Sequence, residues 1–323
     1  MILKSMMRLI LTLGLFVMFW GGEARAQSCT FSATGVNFGA VDVLGSSPKD
    51  AAGNIAISCT AFLDLLSSID MRIHLGDGSG GVSGSLRRMT GTATGLNYDL
   101  YQNAGRTTVF GGTYGTHGGS SLQLTGSGVL SLLTTTGVNV PIYGRVPAGQ
   151  NTALPGNYLS SFTRNPLDVR VDYRTCSLLL ICTNRTASFS FNVQALVSAN
   201  CRVVADDLNF GTTGFLDQAV NGASAMRVTC TSGSSYQVGI GYGLHGTNVN
   251  DRHMQSLTGR RIAYQLYRNS GRSQTWGLLA DGLTAAGTGT GATQNYTIFG
   301  RVPAQTTPPP GTYADTVVVT VTY

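Results

Sequence analysis

Apolar and polar residues alternate with a period of two in short runs along this chain. Ile69-Asp70-Met71-Arg72-Ile73-His74-Leu75 is one such run, Val169-Arg170-Val171-Asp172-Tyr173 another, and Val317 to Tyr323 a third. Successive side chains of a strand point to opposite faces, so this period predicts strands with one face buried. Glycine-rich punctuation follows, as at Gly76-Asp77-Gly78-Ser79-Gly80-Gly81, and marks solvated turns. Beyond the N-terminal segment no stretch carries a helical stripe. Many short strands at turn-spaced intervals predict an all-β fold built from antiparallel sandwiches.

The strands belong to a pattern that runs twice. Cys29, Asn37-Phe38-Gly39, Cys59, Tyr98-Asp99-Leu100-Tyr101, Ile142-Tyr143-Gly144-Arg145-Val146-Pro147-Ala148 and Gly156-Asn157-Tyr158 follow one another in the first copy. Cys201, Asn209-Phe210-Gly211, Cys230, Tyr264-Gln265-Leu266-Tyr267, Ile298-Phe299-Gly300-Arg301-Val302-Pro303-Ala304 and Gly311-Thr312-Tyr313 repeat the order in the second. The chain therefore divides into an N-terminal segment (1–26), a first domain (27–185), a connecting strand (186–198) and a second domain (199–323). The Gly-Arg-Val-Pro-Ala element occurs in both copies, so Arg145 and Arg301 are read as structural.

The N-terminal segment has the form of an export signal. Lys4 and Arg8 precede an apolar run from Leu9 to Trp20, and Ala24-Arg25-Ala26 offers a small-residue cleavage site. The run is shorter than a membrane span requires. Charged residues make up only 11% of the chain, and the net charge of +6 falls to about +4 without the signal. No basic run stands out, which argues against nucleic acid as a partner. Six cysteines in an exported chain point to disulfides. Cys29 and Cys59 hold the places of Cys201 and Cys230, so the repeat favours Cys29–Cys59, Cys201–Cys230 and, by remainder, Cys176–Cys182. The four histidines (His74, His117, His245, His253) stand at no ligand spacing from the cysteines, so no metal is expected.

Between the copies lies Ser188-Phe189-Ser190-Phe191-Asn192-Val193-Gln194-Ala195-Leu196-Val197, an alternating segment with Phe189, Phe191, Val193, Ala195 and Val197 on one face. Before Cys29 the processed chain would keep only Gln27 and Ser28, so the first copy has no such segment of its own. The segment has two possible homes, the first domain or the second. The first is favoured, because copy one otherwise lacks a partner. Burying five such side chains would contribute up to ~8–15 kcal/mol before entropy costs.

The cysteine followed after eight residues by Phe-Gly, the Tyr-x-Leu-Tyr and Tyr/Phe-Gly-Arg-Val-Pro-Ala elements, Gly-x-Tyr and the terminal alternating strand together resemble the spore coat protein U domain family. That family includes subunits of archaic chaperone–usher pili. The likeness spans both copies. Copy one departs by about five extra residues between Tyr158 and Tyr173, and copy two by Pro308-Pro309-Pro310 in the corresponding loop. The resemblance implies immunoglobulin-like sandwiches, the second lacking one strand, that are completed by a strand from a neighbour. It further implies a periplasmic chaperone, an outer-membrane usher and a next subunit as partners. A processed chain with nothing to donate ahead of Cys29 would accept a strand without giving one, as a tip subunit does.

Aligning the copies isolates three aliphatic insertions in the first. Phe62-Leu63-Asp64-Leu65-Leu66 stands where copy two reads Thr231-Ser232-Gly233-Ser234. Val129-Leu130-Ser131-Leu132-Leu133 stands opposite Ala285-Ala286-Gly287-Thr288-Gly289. Leu178-Leu179-Leu180-Ile181, between Cys176 and Cys182, has no counterpart. Contiguous exposed apolar residues mark interaction sites, and core packing is the rival reading for each segment. The resemblance, whose tip adhesins carry hydrophobic loop tips, implies that Phe62, Leu63, Leu65, Leu66, Val129, Leu130, Leu132, Leu133, Leu178, Leu179, Leu180 and Ile181 attach a fibre to hydrophobic surfaces. No Ser-His-Asp set, paired acid site or nucleotide cradle stands out, so neither catalysis nor a cofactor is expected. The rival functions are a structural coat or shaft subunit and an exported carbohydrate-binding module. The expected location is the cell surface, at a pilus tip.

Overall fold

The computed structural model describes residues 28–60, 68–91, 93–125, 137–176 and 182–323. Among these, strands account for all regular structure except one 3-10 turn, Leu279–Asp281. Two sandwiches follow one another, each around its own core.

In the first sandwich, one sheet joins β1 (Ser28–Thr34), β3 (Lys49–Thr60), β9 (Val138–Val146), β7 (Gly95–Tyr101), β6 (Leu86–Thr90), β10 (Gly156–Phe162), β13 (Phe191–Val197) and β2 (Val36–Val41), with β5 (Val82–Ser83) paired to β6. The facing sheet orders β12 (Cys182–Ala187), β11 (Val169–Cys176), β4 (Ser68–Leu75) and β8 (Leu122–Thr125). The alternation read from sequence decides which faces meet. Met71, Ile73 and Leu75 of β4 and Val169, Val171 and Tyr173 of β11 are buried against Ile55, Ile57, Leu100 and Ile142.

The connecting segment differs from its sequence reading in extent. Its strand begins at Phe191, and Phe189 lies just ahead of it with its ring buried. The 185/186 boundary falls inside β12, and the first sandwich runs on through Val197. β13 pairs antiparallel with β10 from Phe162↔Phe191 to Gly156↔Val197, and parallel with β2 from Val36↔Val193 to Val41↔Val197. Its burial alternates along its whole length. The chain thus closes its own first domain.

The second sandwich has a five-stranded sheet, β14 (Cys201–Ala205), β15 (Val220–Cys230), β20 (Thr293–Val302), β18 (Arg261–Tyr267) and β17 (Arg252–Gln255). A three-stranded sheet, β19 (Ala285–Thr288), β16 (Ser235–Ile240) and β21 (Val319–Thr322), faces it. The counterparts of β2 and β10, around Asn209-Phe210-Gly211 and Gly311-Thr312-Tyr313, carry no strand. Among the described residues nothing occupies the place that β13 holds in the first domain.

The domains stack end to end. Only Ser198-Ala199-Asn200 separates β13 from β14. The Arg202 guanidinium donates to Asp42 Oδ2 at 2.7 Å, and Asn151 Nδ2 donates to the Gly291 carbonyl at 3.2 Å. Gly233 lies against Leu154. The loops of copy two that meet the first domain are those aligned with, or next to, the apolar insertions of copy one.

Candidate functional site: an open strand groove and three converging loop stems

A buried arginine organises each sandwich around its groove. Arg87 donates to the carbonyls of Gly76 (2.7 Å), Leu75 (3.3 Å) and Phe110 (2.7 Å), and to Asp99 Oδ1 at 2.6 Å. Asp99 also lies 2.9 and 3.1 Å from His117 Nε2. In copy two Arg252 donates to the carbonyls of Gly241 (3.0 Å), Ile240 (3.0 Å) and Trp276 (2.7 Å), and to Gln265 Oε1 at 3.0 Å. Burial pulls both guanidinium pKa values down, and nearby anionic groups oppose it. Sequence reasoning missed both hubs. The available signal was Arg87-x-Met89 recurring as Arg252-x-Met254 ahead of Tyr-x-Leu-Tyr.

The two grooves differ by one strand, and the burial of equivalent residues follows. Val36, Phe38, Phe162 and Val169 are sealed under β13. Leu208, Phe210, Val317 and Val319, their counterparts, are only half-buried. With Met254, Tyr264, Leu266, Ile298 and Asp315 they line an open cavity of about 240 Å³. Within it the Tyr264 hydroxyl donates to Asp315 Oδ2 at 2.6 Å. Burial, reinforced by that hydrogen bond, pushes the tyrosine pKa up.

The twelve apolar residues of the insertions, Phe62 to Leu66, Val129 to Leu133 and Leu178 to Ile181, lie outside the described residues. The stems of these segments are described, and they come together. Thr60 pairs with Ser28 at the end of β3, Cys176 pairs with both Ser68 and Cys182, and Asp70 pairs with Thr125. All three segments therefore leave one end of the first sandwich, opposite the end where Val41, Val197 and Asp42 approach the second domain. Disulfides Cys29–Cys59 and Cys176–Cys182 pin that end, and Cys201–Cys230 pins the matching end of copy two. Among the described residues, no group of three or more histidine, cysteine, aspartate or glutamate side chains is arranged to hold a metal ion.

One groove closed from within and one left open among the described residues define a tandem β-sandwich protein whose second domain lacks a strand. The sequence model described as Spore Coat Protein U domain matches residues 21–164 and 187–320, and the chain belongs to that family. The second match starts at residue 187 and so includes β13. By sequence that strand leads copy two; in space it completes copy one.

The fold is similar to a chain of the CsuC–CsuE chaperone–tip adhesion subunit pre-assembly complex from archaic chaperone–usher Csu pili of Acinetobacter baumannii. That likeness has a TM-score of 0.55 and 21% identity, over 92% of this chain and 100% of that one. AggA, the major subunit of aggregative adherence fimbriae type I from Escherichia coli, matches with a TM-score of 0.30 and 9% identity, over 54% of this chain and 97% of that one. A comparison with curated proteins finds no match.

Proposed function

We propose that this chain is the tip adhesin of an archaic chaperone–usher pilus, exported through the periplasm to the cell surface for attachment and biofilm formation. Its second domain accepts a strand, first from a periplasmic chaperone and then, at the outer-membrane usher, from the next subunit. Its first domain presents the three apolar loops to hydrophobic abiotic or host surfaces. One observation carries the reading: the stems of all three insertions leave the free end of the first sandwich, while the only groove left unfilled among the described residues belongs to the second. The strand that leads copy two is already engaged inside copy one, which supports a terminal position rather than a place in the shaft.

Up to twelve large apolar side chains at ~1.5–3 kcal/mol each set the ceiling for one tip, and multivalency multiplies a small fraction of it into firm adhesion. The test compares attachment to polystyrene by cells carrying wild type or the Leu65→Asp, Leu179→Asp double variant at equal piliation. Attachment falling at least tenfold is expected (~1.4 kcal/mol per tenfold change). Unchanged attachment would refute the apolar loops, and immunogold labelling along filament sides would refute the tip position.

A further inference from the structure

We infer that the open groove selects a complementing strand with a small, hydroxyl-bearing side chain at the position Val193 holds in β13, and that Asp315 enforces this choice. The inference rests on reading the groove as a strand acceptor. Copy one supplies the template, since its groove is occupied. There Val193 faces Ser160 on β10 and Val36 on β2, and all three are fully buried.

The counterparts are fixed by the repeat. Gly156-Asn157-Tyr158 aligns with Gly311-Thr312-Tyr313, and the next residues, Leu159 and Ala314, meet Thr90 and Gln255 at equivalent places. Ser160 therefore becomes Asp315 and Val36 becomes Leu208. Both replacements are larger, and both line the cavity. A strand taking the place of β13 there therefore meets larger side chains than Val193 does.

The chemistry points the same way. Asp315 Oδ1 accepts the backbone N–H groups of Leu244 and Thr316, both at 2.9 Å, while among the described residues Oδ2 accepts only the Tyr264 hydroxyl at 2.6 Å. A valine laid over this carboxylate would strip its remaining water and return no donor, which is unfavourable for a charged group. A serine hydroxyl is smaller and can donate to Oδ2. The same logic keeps the β13 sequence of one copy of this chain out of the second domain of another.

Two nine-residue peptides test this: one with the sequence of residues 189–197, and the same peptide carrying Val193→Ser. Because β13 already fills the first domain, the groove left for them in the full processed chain is that of the second. Fluorescence anisotropy should show the serine peptide binding at least ~10-fold more tightly, the scale set by one satisfied buried polar group. Asp315→Ser should abolish or reverse that preference. Asp315→Asn, which keeps the volume, should reduce it to under ~3-fold, and serves if the serine variant fails to fold.

If neither peptide binds wild type, the strand-acceptor reading itself fails. If both bind with a ratio untouched by either variant, the acceptor stands and the selectivity is overturned. Asp315 also lies near enough to Arg252 to support its charge. A lower melting temperature with an unchanged peptide ratio would assign it that structural role alone and overturn the inference.

Discussion

Phe191 stacks on Phe162, with ring centroids 4.5 Å apart and planes 4° from parallel. One ring lies at the start of β13 and the other at the end of β10, so the pair clamps the strand that closes the first sandwich. Phe191→Ala removes that ring from a sealed core and is expected to destabilise the first domain by ~3–5 kcal/mol. Leu196 on the same strand points outward and is 41% exposed, so Leu196→Ala should change stability by less than ~0.5 kcal/mol. Denaturant titration of both variants checks the contrast, and equal effects would mean that β13 is not held by its inward face.

The arginine hubs predict unequal costs for equivalent truncations. Asp99 is the acidic partner of Arg87, with a side chain 3% exposed, and Asp99→Ala would leave a buried guanidinium short of that partner. The expected loss is ~3–5 kcal/mol. Gln265→Ala removes a neutral partner from Arg252, for which ~1–3 kcal/mol is expected. Calorimetry on each variant decides the order, and a larger effect in the second domain would contradict the assignment.

Much of this architecture was legible in the sequence, and the parts that were not share a cause. Alternation at Met71, Ile73 and Leu75 gave the buried faces, and the twofold spacing of Cys29, Cys59, Cys201 and Cys230 matches the bonds observed. These are local or repeated signals. Residues 191–197 were legible as a strand, but local pattern left both homes open, because pairing with β2 joins residues more than a hundred positions apart. Arg87 reads as an outward polar position beside Arg88; Asp99 and the carbonyls of Leu75, Gly76 and Phe110, brought in from distant parts of the chain, make its burial tolerable. The seating of Gly233 and Gly291 against the first domain is likewise a property of two copies together.

Acid should weaken the first domain in two separable windows. Burial holds the His74 imidazole below its ordinary value of 6.5, with Asp172 opposing. The unfolded chain therefore binds the proton first, and stability present above about pH 6.5 is lost as pH falls toward the folded-state value. The Asp50 carboxyl is held below 3.8 chiefly by hydrogen bonds from Arg145, at 2.7 and 2.9 Å. Its contribution is present above about pH 3.8 and lost as pH falls through the depressed value. Melting temperature against pH should show both slopes. His74→Gln should flatten the upper one and Asp50→Asn the lower, and a variant that flattens the other window would reverse the assignment.

The junction between the domains depends on two glycines for a steric reason. Gly291 has φ +74° and Gly233 φ +76°, a region unfavourable to residues with a Cβ. A Cβ on Gly291 would also collide with the carbonyl of Asn151, and one on Gly233 would lie 2.8 Å from Leu154 Cδ2. Gly291→Val should therefore push the domains apart without touching either core. The Asp42–Arg202 ion pair is half exposed on both sides and contributes at most ~1 kcal/mol, too little to hold the junction alone. The expected outcome is faster proteolysis between Val197 and Cys201 and a larger radius of gyration in solution scattering, with both disulfide-pinned domains still melting cooperatively. Asp42→Ala should leave proteolysis and scattering close to wild type. If Asp42→Ala loosens the junction as much as Gly291→Val does, the exposed ion pair rather than glycine-mediated contact sets the domain arrangement.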